Sequence, residues 1–461
     1  MVSFVLLIPL FGIAFAAGGS FVMAHWVGFV ILCRLYQEAR RSGRFFNDFL
    51  LRCWIVWFGV YSICFAWILS FKSGVYLFAV FVFSFFFPLV FTAHYLLTSK
   101  IRSKAVQVAA VFGVFFLFER ILSLIPALVS VGLDFFFQPP AAILCVLKFF
   151  PYTVWSSWVF ATCFAIACWV DEKRARALIL PGILLAGMAV LVTTACVDQR
   201  SQRHGPERST RVALIQPNLP FSEAWRIDHP EEIREKYREL AVKAAQSRPE
   251  LIVLPLYTLP EDVYREPAFL AELAKRAMCP ILVASHVPTE AGDLSYHQGF
   301  MNLAFLIDPD GTVRDLYQSV FSIPFDDRVS KIAEKYRLIR TPFGRLGVLL
   351  CYEDMIPALA GEAARLGAQA LVSLSNPGLL QRTSMLDYQL FQDQMRAAET
   401  ALPMIRVSPN GYTVLIDRTG RIVQKAALGV EEILVVQLPL AQPAKTQGTD
   451  TPSPLLSGQS S

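Results

Sequence analysis

Between residues 1 and 197 the chain is almost continuously apolar and unusually rich in Phe, and no other feature constrains its fold as much. Crossing a bilayer as a helix takes about 18 or more apolar residues, because every backbone N–H and C=O must be satisfied inside the segment. Runs of this character lie at roughly 20–33, 53–71, 75–97, 105–134, 141–170 and 177–197. A shorter run at about 3–17 makes a seventh. It lacks the basic start of a signal peptide and is followed by further runs, which predicts an uncleaved first helix. Arg34, Arg40, Arg41, Arg44 and Arg52 follow the second run, Lys100, Arg102 and Lys104 the fourth, and Lys173, Arg174 and Arg176 the sixth, while the intervening loops carry only Lys72. Basic loops stay in the cytoplasm. Seven spans then place the N-terminus inside and residues after about 198 outside, which in a bacterium means an inner-membrane protein with a periplasmic C-terminal domain. Glu119, Arg120 and Lys148 fall inside apolar segments, where a charge is paired or faces a polar cavity.

Residues 198 to 440 have the composition of a water-soluble domain. Of nine cysteines, seven lie in the apolar part and only Cys279 and Cys351 outside it, each beside an apolar strand pattern, which argues for two separate buried thiols. The six histidines show no metal-ligand spacing, so neither a metal nor another cofactor is expected. The basic loops account for the net charge of +5 and leave no reason to expect a nucleic acid partner.

Asp198 to Thr210 reads as a linker. Strands are expected at 211–216, 250–254, 281–285, 301–307, 312–317, 346–350, 370–374, 404–408, 412–416, 421–425 and 432–437, and helices at 231–246, 267–278, 356–365 and 385–400, with Asp308-Pro-Asp-Gly311 and Asp417-Arg-Thr-Gly420 as hairpin turns. Strands alternating with helices and interrupted by hairpins predict an α/β sandwich. Residues 441–461, rich in Pro, Gly, Ser, Thr and Gln, read as a disordered tail. Within this pattern Leu346-Gly-Val-Leu-Leu-Cys351-Tyr352-Glu353-Asp354 is a buried strand that stops at a thiol and passes into a helix, a junction suited to a nucleophile. Seen alone, a cysteine there is more often inert core.

The order of the motifs makes the reading specific. Val212-Ala-Leu-Ile-Gln-Pro-Asn-Leu-Pro220 with Trp225, Leu251-Ile-Val-Leu-Pro255 with Leu259-Pro260, Tyr317 with Ile323-Pro-Phe325, Gly347–Glu353, Leu371–Asn376, and Met395-Arg-Ala-Ala-Glu399 leading to Arg406 and Asn410-Gly411 succeed one another over about 230 residues. This half resembles the nitrilase, or carbon–nitrogen hydrolase, superfamily, and with the apolar spans before it the whole resembles the apolipoprotein N-acyltransferase family. The resemblance implies a membrane helical bundle carrying a four-layer αββα sandwich. It implies acyl transfer from a phospholipid to a lipoprotein through a thioester on Cys351, with Tyr352 and Glu353 supporting it and Trp225 and Asp327 near the substrate.

The chain departs from that family where the chemistry is most demanding. A thiol with a pKa of about 8.5 is mostly protonated at neutral pH, so a carboxylate must take its proton and a cation must steady the thiolate and the later oxyanion. The family places Glu in Trp-Pro-Glu and Lys in Tyr-Asp-Lys; here the counterparts are Leu254-Pro255-Leu256 and Tyr317-Gln318-Ser319. Leu256 accepts no proton and Ser319 carries no charge. Glu261, Asp262 and Lys331 are the nearest replacements along the chain. Pro-Phe-Gly-Glu becomes Pro324-Phe325-Asp326-Asp327, Ser-Asn-Asp becomes Ser375-Asn376-Pro377, and the polar tail stands where the family has an eighth span. Two functions follow as expectations: lipoprotein N-acylation through Cys351, or a catalytically silent relative that binds lipid, a lipoprotein or another membrane protein as scaffold or regulator. A soluble-substrate amidase ranks third, since it needs the same Glu and Lys and has no use for seven spans.

Overall fold

The computed structural model describes residues 7–8, 11, 22–66, 73–123, 141–172, 175–201, 208–220, 229–256, 268–288, 300–321, 332–376 and 384–442. It divides into two compact units, residues 1–202 with 382–388, and the remainder.

The first unit is helical. Its long helices are α1 (Val22–Arg41), α2 (Leu51–Cys64), α3 (Ser73–Ser84), α4 (Phe86–Thr98), α5 (Lys104–Ser123), α6 (Tyr152–Glu172) and α7 (Ile179–Ser201). Among the described residues four stretches are long and apolar enough to cross a membrane: Tyr76–Thr98, Lys104–Leu122, Tyr152–Glu172 and Ile179–Asp198. The expected run at 141–170 is not one helix. Ala141–Lys148 is a 3-10 turn and α6 starts only after Pro151, whose missing N–H and ring favour a helix start there over a helix interior. The run at 3–17 lies almost wholly outside the described residues. Phe and Trp side chains fill the interior, with the Trp57 and Phe87 rings stacked 4.0 Å apart and Phe29 against both. Such offset aromatic contacts add to dispersion where no water is displaced. The charges within the apolar segments are partnered: Ser156 donates to the buried Glu119, and Lys148 meets Asp198 at 2.8 Å.

The second unit holds two six-stranded sheets, of order β12-β1-β2-β3-β4-β5 and β11-β10-β9-β8-β7-β6. The strands are β1 (Arg208–Gln216), β2 (Leu251–Leu256), β3 (Ile281–Pro288), β4 (Phe300–Ile307), β5 (Val313–Gln318), β6 (Ile339–Thr341), β7 (Gly344–Leu350), β8 (Ala370–Leu374), β9 (Met404–Val407), β10 (Val414–Ile416), β11 (Ile422–Lys425) and β12 (Glu432–Leu440). Helices α8 (Pro230–Ala245) and α9 (Ala268–Ala277) cover one sheet, and α10 (Pro357–Arg365) and α11 (Ser384–Thr400) cover the other.

Strand alternation builds the layers, since successive side chains point to opposite faces. Val212 and Leu214 of β1, Leu346, Val348 and Leu350 of β7, and Ala370 and Val372 of β8 enter one core between the sheets. Their neighbours Ala213 and Ile215 face α8 and α9, while Leu349 and Leu371 face α10 and α11. These are the four layers αββα. Gly347 lets α10 lie close on β7, because a Cβ there would come within 2.6 Å of the Ala363 Cβ. The short strand β6 was not legible in the sequence; it is held by pairing with β7.

Candidate active site

The ends of three strands meet the inter-sheet core at one place. Strand β7 stops at Leu350, and Cys351–Met355 winds into a 3-10 turn before α10. The strand therefore ends before the thiol, and Cys351 and Glu353 both lie on the turn that follows it. Cys351 itself has φ +53°, in the left-handed region that costs a non-glycine residue about 1–2 kcal/mol. That strain is concentrated at the thiol and held by what surrounds it. Cys351 is half-buried and packs against the inter-sheet core, which contains Leu256 and Tyr317.

Leu256 reaches this face through a bulge. Strand β2 alternates Leu251 and Val253 toward the inter-sheet core, so residue 255 would come next. The register to β3 slips by one residue between Val253 and Leu256, which turns Leu256 inward in its place. The position is fully buried and apolar. Ser319 follows β5, with its backbone N–H donating to the Asn302 carbonyl at 2.9 Å. Its side chain is fully buried, and its hydroxyl has no partner among the described residues. Thus Leu256 lies in the core against which Cys351 packs, and Ser319 follows on the same face of β5 as Tyr317 of that core.

Glu353 is a tie. Its carboxylate accepts from the backbone N–H of Leu350 at 2.9 Å, of Val320 at 2.8 Å and of Phe321 at 3.2 Å, and from the Tyr317 hydroxyl at 2.8 Å. It joins the segment after β5 to the turn that carries Cys351. Burial pushes its pKa up to about 7, with the Leu350 N–H and the other donors opposing. These donors occupy both carboxylate oxygens. Tyr352 lies over Phe321, ring centres 6.0 Å apart. Trp225, Asp327, Glu261, Asp262 and Lys331 lie outside the described residues.

Behind the turn, on the helix side of the sheet, lies a buried ionic cluster. Asp354, next but two to Cys351, accepts from Arg406 of β9 at 2.9 Å, and Arg406 also meets Asp393 of α11 at 2.5 Å. Ser373 and Gln389 complete it through hydrogen bonds to Asp354 at 3.1 and 3.2 Å. Burial raises both carboxyl pKa values, that of Asp393 to about 7. Burial also works against the guanidinium, but Asp393 and Asp354 more than offset it and its pKa rises. The i, i+4 spacing of Gln389 and Asp393 on one helix was visible in the sequence; their meeting with Arg406 was not.

These surroundings set the thiol. Burial, followed by the negative Asp354, pushes Cys351 up to about 12, while Arg406 and the backbone N–H groups of Tyr352 and Asn376 act the other way. At neutral pH these influences keep the thiol protonated. Cys279 is a second free thiol, buried with its Sγ 3.2 Å from the Pro249 carbonyl oxygen. Among the described residues no three His, Cys, Asp or Glu side chains gather as metal ligands.

The profile of the carbon–nitrogen hydrolase family matches residues 211–447. The chain is similar to apolipoprotein N-acyltransferases, among them that of Geobacter metallireducens, 27% identical over 277 residues covering 55% of this chain and 52% of the relative. That of Bradyrhizobium diazoefficiens is 28% identical over 267 residues, 50% of this chain and 49% of the relative. The chain is thus matched over about half the length of these curated relatives. A solved carbon–nitrogen hydrolase from Helicobacter pylori superposes with a TM-score of 0.41 at 18% identity, over 50% of this chain and 89% of that one. With its family profile, its two sheets between helical layers and a thiol at the end of β7, this chain belongs to the carbon–nitrogen hydrolase family.

Proposed function

We propose that this chain is an apolipoprotein N-acyltransferase-like integral membrane protein whose sandwich holds an acylated ligand, a phospholipid or lipoprotein, without transferring the acyl chain. One observation carries the reading: at the two positions where the resemblance implies a base and a cation, Leu256 is an apolar side chain in the core against which Cys351 packs and Ser319 is an uncharged buried hydroxyl, while burial and the negative Asp354 favour the protonated thiol. An oxyanion contact of the kind the lysine supplies is worth roughly 3–4 kcal/mol, and its absence alone slows acylation by two to three orders of magnitude. The test is intact mass after incubation with phospholipid, comparing the natural protein, Cys351→Ala and the double variant Leu256→Glu, Ser319→Lys. No adduct on the natural protein and one on the double variant is the expected pattern.

A second reading, lipoprotein N-acylation through a Cys351 thioester, is favoured by the strained φ of +53° kept at the thiol. An acyl mass on the natural protein that disappears in Cys351→Ala would establish it and end the silent reading. In either case the arginine and lysine loops support an inner-membrane location with the sandwich in the periplasm. A reporter fused after residue 442 tests this, since a periplasm-active phosphatase should work there and a cytoplasm-dependent fluorophore should not.

A further inference from the structure

Away from the sandwich, two free thiols of the helical unit face each other. Cys145 sits on the 3-10 turn Ala141–Lys148 and Cys196 in the last turns of α7. The turn packs along that end of α7, and Lys148 meets Asp198 at 2.8 Å, so an ion pair three residues from one thiol and two from the other staples the elements together. Side chains three apart eclipse in a 3-10 helix, so Cys145 projects to the same side as Lys148, toward α7. The Cys145 thiol lies within hydrogen-bonding reach of the Cys196 sulfur. Leu144, Val146 and Leu147 are buried, which fixes the backbone on both sides of Cys145. The apolar stretch of α7 ends at Asp198, so the pair stands at the boundary of that stretch and not in its middle. Cys196 is partly exposed, whereas the other six thiols of this unit are buried.

We infer that Cys145 and Cys196 are a redox pair that closes to a disulfide, binding the end of α7 to the turn that precedes α6. The geometry stands on the packing of the two elements; the oxidant rests on the outward orientation proposed above, which exposes this end to the oxidised dithiol proteins and small disulfides of that compartment. Thiols already in contact need little backbone movement to bridge. Cys196, the exposed partner, attacks one sulfur of the donor disulfide as a thiolate and releases the first donor thiol; Cys145 then attacks the mixed disulfide and releases the second. One S–S bond forms in the chain, one is reduced in the donor, and the two protons of the pair end on the two donor thiols. Burial, then the neighbouring Cys196, pushes Cys145 up to about 11. Capping Cys196 in the mixed disulfide removes that neighbouring charge, so the first step eases the deprotonation that the second requires. The bridge encloses α6 within one covalent loop and keeps its start joined to the end of α7 when salt screens the Lys148–Asp198 ion pair.

The experiment uses the full chain in membranes from cells whose thiols are blocked with N-ethylmaleimide in denaturant at lysis, followed by digestion and peptide mass. Most of the chain should yield one peptide pair joined through Cys145 and Cys196, two hydrogens lighter than its reduced parts and abolished by dithiothreitol. In Cys196→Ser the peptide with Cys145 should carry the maleimide instead. A second sample of the same membranes is reduced, washed and treated with oxidised glutathione before blocking. A bridge that forms only in this second sample keeps the inference and overturns the outward orientation, because the pair is competent and its own compartment is reducing. Both cysteines alkylated in both samples, glutathione left on Cys196 beside an alkylated Cys145, or a bridge from Cys196 to a different cysteine overturns the inference. None of these outcomes depends on whether Cys351 transfers an acyl chain.

Discussion

Replacing Glu353 is the sharpest perturbation of the site's architecture. Its oxygen Oε1 accepts the Val320 and Phe321 N–H groups, and Oε2 accepts the Leu350 N–H, with the Tyr317 hydroxyl between them. In Glu353→Gln the amide oxygen can keep Val320 and Phe321, but the NH2 group then faces the Leu350 N–H, donor against donor. One buried donor is orphaned, at about 2 kcal/mol, or roughly 30-fold in the local opening equilibrium. Glu353→Ala orphans all three backbone donors, and at about 1–3 kcal/mol each, partly relieved by entering water, the cost is about 4 kcal/mol or some thousandfold. Hydrogen exchange followed by mass spectrometry on fragments covering 317–321 and 346–353 reads this directly. In the Gln variant the fragment with Leu350 should lose protection while the one with Val320 and Phe321 keeps it; in the Ala variant both should lose it. Unchanged exchange in the Ala variant, or equal loosening of both fragments in the Gln variant, would refute the account of Glu353 as the tie between β5 and the turn.

Three further outcomes follow from the same geometry. With its pKa near 12, Cys351 should react with iodoacetamide at pH 8 about a thousandfold more slowly than an ordinary exposed thiol, and a rate within tenfold of free cysteine would contradict the environment described. Glu353 and Asp393 titrate near 7 when folded against about 4 when free, so the folded state holds more protons across that window. Stability of the sandwich should be highest below pH 4 for these two groups and fall as pH rises to 7, with Glu353→Gln flattening the slope; a stability that rises over this range in step with Glu353 titration would reverse the sign. Leu256→Glu alone buries an unpaired carboxylate and should destabilise by more than about 3 kcal/mol, whereas adding Ser319→Lys should recover part of that loss; additive losses in denaturant midpoints would mean the two side chains do not meet.

The strands, their turns and the helices of the sandwich were legible because each rests on local physics. The apolar run Val212–Ile215 and the Asp308–Gly311 turn need no distant partner to be read. The short strand Ile339–Thr341 escaped notice because three residues carry too little pattern, and its strand character comes from pairing with β7. In the apolar half the sequence overestimated continuity: the run at 141–170 breaks at Pro151, which a hydropathy reading passes over.

For the site, residue chemistry alone established that Leu256 can take no proton and Ser319 can carry no charge, since those statements depend on side-chain type and hold wherever the residues lie. Whether the two positions mattered depended on the fold. An extra residue in β2 turns Leu256 toward the core, a left-handed φ carries Cys351 out of its strand, and Glu353 turns inward to hold backbone donors. Arg406 and Asp393 are thirteen residues apart and look like an ordinary strand arginine and helix aspartate until burial forces them together with Asp354. Side-chain identity is a local property and can be read along the chain. Which faces meet, and which charges lose their water, is settled by long-range pairing, and that is where the thiol acquires or loses its chemistry.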